Sequence, residues 1–91
     1  MAHHDNGKAL INYKKAQSLL AKIETMLEEE RYCVDIMQQN LAVMGLLRSA
    51  HQMLMEQHLN SCFRRAMESG NEKKKQTMIS EMLRVANLSQ K

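Results

Sequence analysis

Ninety-one residues allow one domain at most, and a chain this short often needs a partner subunit or a metal to complete its core. Thirteen Lys and Arg against ten Asp and Glu leave a net charge of +3, a mild lean towards polyanions and not a strong nucleic-acid signature. There is no proline, only three glycines and 3% aromatics, which points to an all-α fold and excludes an aromatic platform for single-stranded nucleic acid. No apolar stretch approaches the roughly 20 residues of a membrane span.

Residues 1–7, "MAHHDNG", are expected to be a flexible polar tail, and 8–91 one helical domain. The polar start lacks a secretory apolar region, so the expected location is cytoplasmic. A first helix is predicted from about Lys8 to Glu30. Leu10, Tyr13, Gln17, Leu20, Ile23 and Leu27 recur along it at three- and four-residue steps. Lys8, Lys14, Lys15 and Lys22 take its other faces. The run "EEER" carries no proline or glycine stop.

A second, long helix is predicted from about Tyr32 to Ser69. Its apolar stripe passes through Val34, Met37, Leu41, Met44, Leu47, Leu54, His58 and Cys62. Gly70 in "SGN" suits a C-terminal cap. A third helix follows from about Glu72 to Leu88, with Met78, Ile79, Met82, Leu83 and Val85 on its apolar side. "KKK" at 73–75 places positive charge against the start of that helix dipole. "CFRRAM" sets Arg64 and Arg65 just after Cys62. The long helix cannot bury its stripe against two shorter ones alone, so an antiparallel helical homodimer is expected, with a dimer of dimers as the larger option.

The two cysteines fall 29 residues apart on the long helix. In an uninterrupted α-helix that is close to a whole number of turns and roughly 43 Å of rise. One ion with bonds of about 2.3 Å cannot touch both within one straight helix. Two antiparallel copies, with a twofold axis near residues 47 and 48, set Cys33 of one chain beside Cys62 of the other. His58 precedes Cys62 by one turn and projects to the same spot. Met37 then falls opposite His58. Two thiolates and an imidazole suit trigonal Cu(I), while Zn(II) or Ni(II) would need a fourth ligand. The same residues can equally be read as packing, because cysteine behaves as a small buried hydrophobe and a histidine on an apolar stripe can be a satisfied core residue. Either thiol could act as a nucleophile with His58 as base, but no third orienting group accompanies them, so no enzyme is expected.

"MLEEERYCVDIMQQ", followed by "HLNSC" with its His 25 residues after the first Cys, resembles the CsoR/RcnR family of metal-sensing repressors, and its copper-sensing branch above all. The resemblance covers about Leu10 to Leu88. It implies all-helical dimers that pair into flat tetramers, with Cu(I) held between subunits at Cys33, His58 and Cys62. It implies that the metal-free assembly binds operator DNA as a repressor and releases it when metal binds. Tyr32 matches a Tyr beside the metal. The place of a further metal-network Glu on the last helix is Met78 here, with Glu81 one turn on. In "KAQSLLAK" and "AVMGLL", Leu19, Ala21 and Met44 stand where the family carries polar or basic residues. Lys8, Lys14, Lys15, Lys22 and Arg48 remain as candidates for duplex DNA phosphates.

Three alternatives share this resemblance. One is a copper buffer without operator binding. Another is a thiol sensor of persulfide or aldehyde through Cys33. The last is a nickel sensor, since nickel- and cobalt-sensing relatives also use an N-terminal His. His3 or His4 with backbone nitrogens would suit square-planar Ni(II) or Cu(II).

Overall fold

The computed structural model describes residues 6–89, and all regular structure in them is helical. In chain order the elements are α1 (Gly7–Glu28), α2 (Cys33–His58), a π turn (Leu59–Phe63), α3 (Arg64–Glu68) and α4 (Glu72–Ser89). The π turn joins α2 to α3 without a break in helical backbone, since His58, Phe63 and Arg64 all hold right-handed helical angles. The predicted long helix is therefore present from Cys33 to Glu68, but interrupted internally. The described residues divide into two compact units, 6–56 and 57–89.

In the first unit a four-residue connection makes α1 and α2 an αα-hairpin. Its buried positions are Ala9, Ala16 and Met26 on α1 and Val43 and Ala50 on α2. Ile36 is half-buried on the same seven-residue repeat as Val43 and Ala50, and Leu46 and Met53, three residues after each of those two, are half-buried as well. Small side chains at such spacings let two helix backbones approach closely. The predicted stripe lies elsewhere. Leu10, Tyr13, Leu20 and Leu27 are exposed, and so are Val34, Met37, Leu41, Met44, Leu47 and Leu54. Within one chain many of the larger apolar side chains stand outside, and alanines make up three of the five buried positions.

The chain leaves α1 through a Schellman turn. The Arg31 N–H donates to the Met26 carbonyl at 2.9 Å, and the Glu30 N–H to that of Leu27 at 3.1 Å. Glu30 holds φ of 54°, a left-handed conformation in which glycine is usual. The sequence hides this stop because a glutamate occupies the glycine position. Asp35, in the first turn of α2, complements that helix dipole.

In the second unit only Ala66 is buried among the described residues. Its order comes largely from capping. Gly70, at φ of 75°, closes α3 as the sequence predicts. The Asn71 side-chain oxygen accepts the Lys74 N–H at 3.1 Å, an N-cap for α4. Met78, Met82 and Val85 are half-buried on α4, whereas Ile79 and Leu83 are exposed.

Candidate metal centre

His58 is the last residue of α2, and Cys62 lies inside the π turn that follows. Both are half-buried. The cause of the π turn is local. The Ser61 hydroxyl donates to the Gln57 carbonyl at 2.6 Å, competing for the acceptor that an α-helix reserves for its own N–H. The ladder then opens by one residue, as π turns do, often at functional sites. The same hydroxyl oxygen lies 4.0 Å from the Cys62 sulfur. The turn interrupts the uniform α register that would put Cys33 and Cys62 on one face of an unbroken helix.

Cys62 opens on a groove of about 570 Å³, lined also by Arg65, Ala66, Ser69, Asn71, Lys73, Lys74, Thr77 and Met78. The groove lies wholly within the second unit. Its lining is mainly apolar, and three of the residues that line it, Arg65, Lys73 and Lys74, are exposed cations whose basic rim faces solvent. Met78 therefore shares a cavity with Cys62, at the position the resemblance assigns to a metal-network residue. Glu81 is half-buried on α4 but does not line the groove.

The other predicted site residues belong to the first unit. Cys33 is exposed as the first residue of α2. Tyr32, just before it, is 69% exposed, and Met37 is 56% exposed. Neither cysteine is in a disulfide. Among the described residues of one chain, no three His, Cys, Asp or Glu side chains are gathered to hold an ion. The donor chemistry still fits a soft cation: two thiols, an imidazole and a nearby thioether, with no carboxylate lining the groove. His3 and His4 lie outside the described residues.

Lys8, Lys14, Lys15 and Lys22 on α1 and Arg48 on α2 are all exposed. Lys8, Lys15 and Lys22 recur every seven residues, so they share one face at steps of about 10.5 Å. Leu19 is half-buried, so that replaced position faces the chain interior, whereas Ala21 and Met44 are exposed. Arg65, Lys73 and Lys74 line the Cys62 groove and are additions to the residues that the sequence singles out for the site. Their signal was the adjacency of "RR" to Cys62 and of "KKK" to a helix start.

The profile of a family described as metal-sensitive transcriptional repressor matches residues 7–87. A copper-sensing transcriptional repressor CsoR of Mycobacterium ulcerans is 36% identical over 86 residues, 91% of this chain and 71% of that protein. The protein of that name in Mycobacterium tuberculosis strain H37Rv is 38% identical over 63 residues, 69% of this chain and 53% of that protein. The Bacillus subtilis one is 35% identical over 72 residues, 79% of this chain and 68% of that protein. The chain thus spans about half the length of the M. tuberculosis relative. No solved structure matches it. No helix among the described residues is long and apolar enough to cross a membrane. With the profile running from the first turn of α1 almost to the end of α4, the chain belongs to the CsoR/RcnR family of metal-sensitive transcriptional repressors.

Proposed function

We propose that this chain is a cytoplasmic, copper-responsive repressor that binds duplex DNA when metal-free and releases it on binding Cu(I). The observation that carries the reading is the split donor set. His58 precedes a π turn that contains Cys62, Cys62 opens on the Met78 groove, and Cys33 stands exposed at the start of α2. A homodimer, or a tetramer built from it, would complete the set with Cys33 of one subunit and His58 and Cys62 of its partner. Bound there, copper would be held by the two thiolates and the imidazole, a soft-donor set that would tie one subunit to the other. Tyr32, Met37, Met78 and Glu81 are proposed as the surrounding shell.

The chain's own parts then act through assembly. The ion favours one arrangement of subunits and DNA another, so each weakens the other's binding, with a coupling of about 1–3 kcal/mol being typical. The α1 stripe of Lys8, Lys15 and Lys22, with Lys14 and Arg48, would meet phosphates, which position a protein without reading sequence.

Two measurements on one sample test this. In an anaerobic Cu(I) titration against a competing chelator, mixing Cys33→Ala and His58→Ala chains should restore one intact site per heterodimer. If the mixture binds no more tightly than either parent, the shared site is wrong. On DNA from its own promoter region, saturating Cu(I) should weaken binding, and neutralising Lys14 and Lys15 should flatten the salt dependence by about one unit of slope per contact. Absence of metal-free DNA binding would favour the buffering alternative.

A further inference from the structure

Two runs of charge in this chain oppose the helix ends that carry them. Glu28, Glu29 and Glu30 are exposed at the C-terminus of α1, where the helix dipole is already negative. Lys73, Lys74 and Lys75 occupy the first turn of α4, where it is positive. The single ion pair among the described residues joins Lys75 to Glu72 at 3.4 Å, within α4 itself. Lys73 and Lys74 instead line the Cys62 groove, together with Arg65. Arg31 offsets one of the acidic charges, and Glu24, one turn before Glu28, adds another. Each run is unfavourable where it stands, and the two have opposite sign. Local choices that conflict with local structure mark places where something other than local stability has set the residue.

We propose that the acidic α1–α2 connection of a second copy docks on the basic rim of the Cys62 groove, as an electrostatic latch that brings that copy's Cys33 to Cys62. The inference rests on the shared metal site proposed above and adds the surface that assembles it. Reach follows from the chain. Glu30 is three residues from Cys33, at most about 10 Å of extended backbone. Arg65 is three residues beyond Cys62, close to one helical turn. A partner's Cys33 at Cys62 therefore keeps its Glu30 within about 10 Å of that point, a span that long side chains on Arg65, Lys73 and Lys74 can bridge. The exposed Tyr32 ring supplies an apolar body for the apolar lining of the groove. The Glu30 left-handed turn fixes the direction in which the acidic run is presented.

The test is a charge swap. One chain carries Glu28→Lys, Glu29→Lys and Glu30→Lys; the other carries Arg65→Glu, Lys73→Glu and Lys74→Glu. At positions 28, 73 and 74 the new charge suits its helix dipole, so helix content by circular dichroism should hold. Each variant alone should self-associate more weakly by on the order of tenfold or more, from like charges facing each other. An equimolar mixture should form a heterodimer of wild-type strength, because both latches are then complementary. The wild-type association should also weaken with added salt. Self-association of either variant at wild-type strength, or a mixture that does not recover, overturns the latch, as does a monomeric wild type. Copper is read separately on the wild type: recovery by the swap in a protein that binds no Cu(I) would sink the metal reading and leave the latch standing.

Discussion

The hairpin of residues 6–56 and the segment 57–89 reach order by different routes. The hairpin aligns small residues on a repeat, buries Ala50 completely, and leaves Leu10, Leu20, Leu41 and Met44 outside. The later segment buries Ala66 alone among its described residues and relies on Gly70, the Asn71 cap and the Ser61 back-bond. The first is a packed seam with a second apolar face still unpaired. The second is a set of local hydrogen bonds around a groove, free to respond to what enters it. In a ligand-responsive protein that division is useful, because the elements that move are drawn from the less stable end.

The sharpest way to break the comparison is to charge the hairpin's outer face. Leu41, 63% exposed in one chain, should be covered in a dimer. Leu41→Glu should leave helix content intact and weaken self-association by about 3–5 kcal/mol, the cost typical of an uncompensated buried charge. Sedimentation of the two proteins at equal concentration reads this directly. An unchanged mass would show that the outer face is not the one that pairs.

A smaller effect separates the two interiors. Ala50→Leu inserts bulk where the helices meet and should cost about 1–3 kcal/mol by overpacking. Ala66→Leu, at the less closed position, should cost less. Urea midpoints with matched slopes give both values. If Ala66→Leu proves the more damaging, the second unit is the better packed and the comparison reverses.

The same contrast explains what the sequence revealed. Helix order was legible because charge and apolar periodicity repeat over many turns, and the stop at Gly70 because glycine alone supplies φ of 75° cheaply. The seam was not. Alanines weigh little in an apolar count, and periodicity cannot say which of two apolar faces closes within the chain. The π turn was hidden because a Ser61 hydroxyl bonding the Gln57 carbonyl leaves no periodic trace. At the site, Cys62 and Met78 could be paired through the resemblance. The basic rim could not, since Arg65 and Lys73 come from two helices joined only by the fold.

The smallest effect is the most informative about design. Glu30 and Gly70 both follow a helix in the left-handed region, at φ of 54° and 75°. One is the residue such a turn prefers, and the other carries a side chain that costs about 1–2 kcal/mol there. Glu30→Gly should relieve that cost, less the extra freedom glycine gains in the unfolded chain, for a net gain of about 1 kcal/mol. Glu30→Gln removes the charge and keeps the strain, so the difference between the two variants in thermal or urea unfolding isolates the backbone term. If the two are equally stable, the left-handed turn carries no strain. The latch predicts an opposite sign for assembly. Both variants should dimerise more weakly at low salt, although glycine makes the single chain more stable. A residue that lowers the stability of its own turn and strengthens the contact between copies is held there by that contact, and residue 30 is where the two demands on this sequence can be measured separately.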